Sequence, residues 1–263
     1  MNSPTVSDVP HAVMPEASAD ATIRLEGVTV RYQAPAERLG TFKEYAIRRL
    51  QRRVVYTDFD ALAGIDLEVH EGEIFGVIGR NGAGKSTLLK VVSRVLVPTA
   101  GRVVIRGRVT PLLELGAGFH PELTGRENVM LNGTLLGRTF RDLEKRLDEI
   151  TEFAELGNFF EAPLRTYSSG MVARLGFAVA TAWQPEILLV DEVLAVGDEA
   201  FRRKCEGRME SFRRAGTTTI VVSHDMTSIH AMCRRAAWLE HGRIVSQGPA
   251  DSVIAEYQAS SEP

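Results

Sequence analysis

Apolar and polar positions alternate along the chain in patterns that separate strands from helices. Short uninterrupted apolar runs are typical of parallel strands buried on both faces, whereas apolar residues at helical spacing predict amphipathic helices. The predicted strands lie at 22–32, 61–69, 74–78, 187–190 and 218–223, a hairpin lies at 236–246, and helices lie at 141–156, 170–182 and 251–258. In the first helix one face carries Leu143, Leu147, Ile150 and Phe153. The alternation of strands and helices favours an α/β fold with a mostly parallel sheet.

The two ends of the chain and one internal segment depart from this pattern. Residues 1–20 contain three prolines and no periodic apolar positions, so we expect a disordered tail. Residues 259–263 are expected to form a second, short tail, which leaves 21–258 as the folded domain. Within that domain, residues 33–58 interrupt the strand pattern with an inserted segment.

The inserted segment is basic and amphipathic. Drawn as a helix, it places Ala46, Ile47, Leu50 and Val54 on one side and Arg48, Arg49, Arg52 and Arg53 largely on the other. Five cations and one carboxylate between Lys43 and Arg53 give a net charge of +4. Such a helix can lie at an anionic membrane surface or receive a pyrophosphate-bearing lipid head group. The alternative interpretation is a solvated basic face that covers a patch of the core.

Composition excludes several classes of protein. The 263 residues are 44% apolar and 25% charged, so a sizeable core is available. No run approaches eighteen consecutive apolar residues, and the first twenty residues lack the pattern of a secretory signal. A net charge of -3 gives no general attraction to nucleic acid. Two cysteines make no disulfide framework, which suits a reducing compartment such as the cytosol.

A glycine-rich loop between a strand and a helix is the first candidate for chemistry. It fits the spacing G-x-x-x-x-G-K-[ST] of phosphate-binding loops, in which backbone N–H groups surround phosphate oxygens. Lys85 is expected to reach the β and γ phosphates, and the Ser86 hydroxyl is expected to hold Mg²⁺. The nine residues are Gly79, Arg80, Asn81, Gly82, Ala83, Gly84, Lys85, Ser86 and Thr87.

Two adjacent carboxylates, Asp191 and Glu192, end the apolar strand at 187–190. Asp191 is expected to bind Mg²⁺, and Glu192 is expected to orient or deprotonate the attacking water. Adjacent acids at the end of a strand are common as solvated caps. Their position 112 residues after Gly79, the first glycine of the phosphate loop, favours the catalytic interpretation.

The stretch Tyr167-Ser168-Ser169-Gly170-Met171, followed by Arg174, resembles the LSGGQ signature of ABC ATPases. The resemblance covers about residues 21–258. It implies a P-loop NTPase fold of the ABC ATPase type: a mostly parallel sheet core, an antiparallel β subdomain, and a helical subdomain at about 120–182. In this family Ser168, Ser169 and Gly170 contact the γ phosphate of an ATP held by a second subunit. The resemblance therefore implies a head-to-tail homodimer with two ATP molecules at its interface.

The same resemblance assigns four further positions. His224 matches the switch histidine that contacts the γ phosphate, and Asp198 matches the loop that reaches across the dimer. Tyr32 ends the first strand where the family places an aromatic residue that stacks on adenine, with Phe59 as an alternative. Glu114 stands where the family has a glutamine that senses Mg²⁺.

The run from Leu112 to Val129 (LLELGAGFHPELTGRENV) is similar to ATPases that export lipid-linked polysaccharides. This branch implies a peripheral protein on the cytoplasmic face of the inner membrane, a separate transmembrane permease dimer, and a lipid-linked glycan of the O-antigen, capsule, teichoic-acid or galactan type. Because the sequence ends soon after Tyr257, we expect no carbohydrate-binding domain. An importer subunit is the closest alternative. A soluble ABC ATPase acting on ribosomes or DNA is disfavoured, since there is one module and no room for a coiled coil.

Overall fold

The computed structural model describes residues 21–35, 56–113, 115–191 and 197–261. Strands within these ranges are β1 (Ala21–Pro35), β2 (Tyr56–His70), β3 (Ile74–Ile78), β4 (Ala100–Ile105), β5 (Val109–Leu112), β6 (Ile187–Asp191), β7 (Thr218–Val222), β8 (Arg235–Glu240) and β9 (Arg243–Pro249). The helices are α1 (Lys85–Val92), α2 (Gly125–Leu135), α3 (Phe140–Ala154), α4 (Ser169–Ala180), α5 (Glu199–Arg214), α6 (Met226–Met232) and α7 (Ala250–Ser261). Two 3₁₀ turns, Gly157–Glu161 and Leu164–Thr166, connect α3 to α4.

A six-stranded sheet forms the centre of the fold. Its strand order is β5-β6-β7-β3-β8-β9, and only β9 runs antiparallel to its neighbour. The prediction of an α/β fold with a mostly parallel sheet is therefore confirmed. Since β6, β7 and β3 are parallel neighbours, their carboxyl ends meet at one edge, which is where ligands bind in sheets of this kind.

A second, antiparallel sheet with the order β2-β1-β4 lies against the first. Buried side chains from both sheets and from α1 pack into one core, including Ile23, Leu25, Leu67, Phe75 and Leu88. At its open end the β1–β2 pair continues through Gln33, opposite Asp58, to Pro35, opposite Tyr56. The inserted segment is therefore shorter than predicted, because both of its ends extend the ladder. The basic amphipathic stretch lies outside the described residues.

Helices α2, α3 and α4 pack together in a separate apolar cluster that includes Val129, Ile150 and Leu175. The predicted face of α3 is observed. Its buried residues are Leu143, Leu147, Ile150 and Ala154, and Phe153 is half-buried. The Phe153 ring lies 5.9 Å from the Phe177 ring of α4 and 5.6 Å from the Phe201 ring of α5. The contact with Phe201 joins this helical cluster to the apolar residues that pack on the central sheet.

The carboxyl-terminal helix is longer than predicted. Helix α7 ends at Ser261, so the first three residues of the predicted tail continue the helix. No proline or glycine interrupts it, and the Ser260 hydroxyl donates a hydrogen bond of 2.8 Å to the carbonyl of Tyr257. No helix among the described residues has the length and apolar content needed to span a bilayer.

Both cysteines are buried as free thiols. Burial raises the pKa of Cys205 to about 11 and that of Cys233 to about 12, because desolvation destabilises the thiolate. Side chains in this state are structural rather than nucleophilic.

Candidate nucleotide-binding site

The glycine-rich loop leaves the buried end of β3 and turns directly into α1. Helix α1 begins at Lys85, with Gly84 as its N-cap in a left-handed conformation at φ 110°. The Lys85 side chain is buried, and its Nζ donates hydrogen bonds of 2.7 Å to the carbonyl of Gly79 and 3.2 Å to the carbonyl of Arg80. These two hydrogen bonds fix the conformation of the loop around the Lys85 ammonium group. The first-turn N–H groups of α1 and this charge together favour an anion at the helix N-terminus.

At two positions of the loop only glycine fits, because the backbone of another strand lies too close for a Cβ atom. A Cβ atom at Gly79, where φ is 149°, would lie 2.1 Å from the carbonyl oxygen of Leu239 in β8. A Cβ atom at Gly84 would lie 2.6 Å from the carbonyl oxygen of Ala61 in β2. The loop therefore packs directly against the backbone of β8 and β2. A side chain at either glycine would displace the loop from these strands.

A cavity of about 640 Å³ opens above the loop. Its volume falls in the usual range for small-molecule sites, about 300–1,000 Å³. It is lined by Tyr32, Phe59, Asp60, Ala61, Asn81, Gly82, Gly84, Lys85, Ser86, Thr87, Asp191, His241 and Gly242. The cavity thus joins the phosphate loop to residues of β1, β2, β6 and the β8–β9 turn.

The two aromatic candidates lie side by side at this cavity. Tyr32 and Phe59 are directly opposite each other in the β1–β2 ladder, and their ring centroids are 5.5 Å apart at an angle of 32°. Tyr32 is 36% exposed and Phe59 is 52% exposed, which is high for aromatic side chains. The sequence alone left these two residues as alternatives. The strand register brings both to the site as one platform that suits a stacked base.

Ser86, which carries a hydroxyl, and Asp191, which carries a carboxylate, both line the same cavity. This pair of oxygen donors fits Mg²⁺, which takes few protein ligands beside phosphate and water. The described residues hold no cluster of three or more histidine, cysteine or acidic side chains that could hold a metal ion. Glu114 and Glu192, predicted for magnesium and for catalysis, lie outside the described residues.

The signature residues do not line this cavity. Ser168 caps α4, and its hydroxyl accepts a hydrogen bond of 3.2 Å from the backbone N–H of Met171. Ser169 and Gly170 form the first turn of the same helix. A helix N-terminus with small residues is accessible to an anion, and the N-terminus of α4 is not part of the lining of this cavity.

Asp198 and His224 also lie outside the lining of the cavity. Asp198 caps α5 by accepting a hydrogen bond of 2.9 Å from the N–H of Phe201, and its carboxylate pairs at 2.8 Å with Arg174 of α4. The hydrogen bond from the backbone N–H of Phe201 and the nearby charge of Arg174 hold the pKa of Asp198 below its usual value. His224 follows β7 and is exposed. Asp198 and Arg174 therefore link α5 to the helix that carries the signature.

The contribution of the β8–β9 turn was not predicted from the sequence. His241 and Gly242 line the cavity, and both have positive φ, 46° and 75°. The only signal was a His-Gly pair inside the predicted hairpin. Asp60 was missed as well. Its carboxylate accepts hydrogen bonds of 2.7 and 3.1 Å from Arg31, which lowers the pKa of Asp60.

Asn128 was also missed, although it lies in the run that is similar to polysaccharide exporters. It is fully buried, and its side-chain oxygen accepts a hydrogen bond of 2.7 Å from the N–H of His120. Its amide nitrogen donates to the carbonyls of His120, Leu123 and Thr124 at 3.0, 3.0 and 2.9 Å. The three carbonyls share the two N–H groups of the amide, and these contacts with four backbone groups fix the loop before α2.

Known proteins resemble this chain in sequence and in fold. The family model described as ABC transporter matches residues 62–195. An O-antigen export system ATP-binding protein RfbB from Myxococcus xanthus is 45% identical over 93% of this chain and 57% of its own length. A protein of the same name from Klebsiella pneumoniae is 48% identical over 75% of this chain and 80% of its own length. The chain thus spans little more than half of the Myxococcus relative.

A dimeric ATP-binding cassette in a post-hydrolysis state, solved with ADP and phosphate, has a similar fold. The TM-score is 0.66 at 24% identity, over 87% of this chain and 98% of the solved chain.

Proposed function

The chain belongs to the ABC transporter family, and from this membership we propose that it is the ATP-hydrolysing subunit of an exporter of lipid-linked polysaccharide. The observation that carries the ATPase assignment is the single cavity shared by Lys85, Ser86, Asp191 and an aromatic pair. The export assignment rests on relatives named for O-antigen export that are 45–48% identical to this chain. In this assignment the chain acts as a peripheral protein at the cytoplasmic face of the membrane.

Different residues have different roles in the binding and hydrolysis of ATP. Tyr32 and Phe59 stack on the base, and the loop N–H groups with the Lys85 ammonium stabilise the charge on the phosphates. Mg²⁺, held by Ser86 and Asp191, supplies further neutralisation of phosphate charge when bound. Glu192 accepts a proton from the water that attacks the γ phosphorus, while the bond to the β–γ bridging oxygen breaks and ADP leaves. His224, which follows the neighbouring strand β7, contacts the γ phosphate.

The separation of the signature from the cavity supports a two-subunit site. Ser168, Ser169 and Gly170 open α4 away from the cavity of their own chain. In a head-to-tail homodimer, the N-terminus of α4 closes on the γ phosphate held by the partner. Helices α2 to α4, within about residues 120–182, then form the subdomain that carries the signature. The Asp198–Arg174 pair positions this helix relative to α5.

Replacing Glu192 with glutamine is expected to trap an ATP-bound dimer. The amide keeps the size of the side chain but removes the proton acceptor, so hydrolysis should fall by about 100-fold or more. Size-exclusion chromatography with ATP and Mg²⁺ should then give a dimer, and phosphate release should be slow. Glu206→Gln, on the exposed side of α5, is the matched control and should behave like the wild type. A Glu192→Gln protein that hydrolyses ATP at the wild-type rate would disprove this role.

An apolar groove supports a separate permease as the second partner. It lies between the end of α1, residues 115–117, and helices α2 and α4, with a volume of about 200 Å³. Val95, Leu113, Leu115 and Leu136 line it, and the Val95 side chain is 73% exposed. Exposed apolar surface of this kind is typical of a protein interface. We propose that it receives a cytoplasmic amphipathic segment of the permease dimer.

Export is tested by depleting the chain in its host and complementing with wild type or Lys85→Ala. If the chain energises export, the Lys85→Ala strain should accumulate untransported lipid-linked glycan, detected by sugar labelling and chromatography, while the wild type restores normal amounts. The accumulated polymer also identifies the glycan. Normal glycan with loss of uptake of a solute would instead assign the chain to an importer.

A further inference from the structure

We infer that the imidazole of His241 contacts the polar edge of the bound nucleoside, at the base or at the ribose 2′-hydroxyl, and sets nucleotide selectivity. The inference deepens the proposed function, because it requires that ATP occupies the cavity. His241, in the β8–β9 turn, is an exposed residue that lines the cavity together with Asp60 and the aromatic pair.

The residue after His241 is hydrogen-bonded to two other segments of the site. The N–H of Gly242 donates a hydrogen bond of 2.9 Å to the carbonyl of Ala83 in the phosphate loop. The carbonyl of Gly242 accepts one of 2.8 Å from the N–H of Ala63 in β2. A Cβ atom at Gly242 would lie 2.8 Å from the carbonyl oxygen of Ala61, so the turn is in direct contact with β2. His241 therefore belongs to the rigid wall of the cavity.

The conformation of the turn does not itself call for histidine. Positive φ at both central residues is typical of a two-residue hairpin turn, for which asparagine or glycine at the first position is preferred. His241 adopts φ 46° without being glycine, and such positions are enriched at functional sites. The imidazole is exposed and has no hydrogen-bond partner within the part of the chain that the structure describes.

Few polar groups are placed to recognise the nucleoside at the end of the cavity that holds the aromatic pair. Stacking on Tyr32 and Phe59 tolerates any base, because every base offers a flat face. The neighbouring carboxylate of Asp60 is already engaged by two hydrogen bonds from Arg31. His241 carries both a donor and an acceptor in its neutral ring, which suits the exocyclic groups of a purine or a ribose hydroxyl.

The test is binding of ATP, GTP and 2′-deoxyATP, each with Mg²⁺, to the purified full chain by calorimetry. His241→Gly is the main variant, since glycine accepts the positive φ and removes only the side chain. We expect the affinity for ATP to fall about three- to tenfold, as for the loss of one hydrogen bond. A matched control is His230→Ala, at an exposed histidine of α6 that pairs with Asp251.

The inference is tested by comparing how the variant changes the affinities for the three nucleotides. If the imidazole contacts the base, the ATP-to-GTP affinity ratio changes in His241→Gly; if it contacts the ribose, the ATP-to-deoxyATP ratio collapses towards one. Either change supports the inference, provided that the melting temperature stays that of the wild type. Unchanged affinities, an equal loss for all three nucleotides, or a ratio change accompanied by a lower melting temperature would overturn it. A wild-type chain that binds no ATP would instead refute the proposed function, so the two failures are distinguishable.

Discussion

Replacing Lys85 with alanine is expected to lower kcat for ATP hydrolysis by about 10²–10³-fold, the usual effect of removing one preorganised donor to a developing charge. Lys85 is the one lysine or arginine among the described residues that line the cavity. Its ammonium already points at the loop, as its bonds to the carbonyls of Gly79 and Arg80 establish. These bonds fix the position of the charge at the loop, and alanine removes both the charge and its alignment. Phosphate release by the purified protein measures the effect.

Two controls separate the charge from the fold. Lys85→Arg keeps a cation but not the compact ammonium, so it should recover little activity. Lys145→Ala removes an exposed lysine of α3, outside the cavity, and should retain full activity. Melting temperatures are compared in parallel, because Lys85 also ties two loop carbonyls together. A Lys85→Ala protein that keeps more than a third of the wild-type rate would contradict the assignment.

Replacing Gly79 with alanine is expected to destabilise the protein by about 3 kcal/mol, combining left-handed strain with overpacking. The added Cβ atom would lie 2.1 Å from the carbonyl oxygen of Leu239, and this oxygen belongs to a strand that has no room to retreat. Because β8 pairs with both β3 and β9, the loop must move instead, and the phosphate site is lost with it. The melting temperature should fall by roughly 6–12 °C, with a parallel loss of ATP affinity.

Gly137→Ala is the matched control for backbone strain alone. Gly137 has φ 80°, and nothing lies within 4 Å of the position that its Cβ atom would take. This variant should lose about 1 kcal/mol and keep its affinity for ATP. Equal melting temperatures for Gly79→Ala and Gly137→Ala would mean that the close approach to β8 has no energetic consequence.

Several elements of the site were predictable because their signals are local. A glycine-rich loop between an apolar run and a helix is defined by fewer than twenty consecutive residues, and the structure places Lys85 and Ser86 at one cavity as that pattern indicates. Asp191 joins them because parallel strands end at the same edge of a sheet. The same locality explains α3, whose apolar face follows from helical spacing alone.

Other features depend on contacts between distant segments. The choice between Tyr32 and Phe59 was undecidable from spacing, because 26 residues separate them and only the antiparallel register sets them opposite each other. Asn128 reads as an ordinary polar residue until four backbone groups of the preceding loop converge on it.

By itself, the sequence determined the fold class, the phosphate loop, the family and the helix that carries the signature, since each depends on residues close together along the chain. The tertiary structure alone decided that the aromatic residues form one platform and that the turn at His241 is part of the wall of the cavity. The hydrogen bonds of Gly242 to Ala83 and Ala63 join segments more than 150 residues apart in sequence. Such contacts arise from strand register and close backbone approach, which no local pattern of apolar and polar residues encodes.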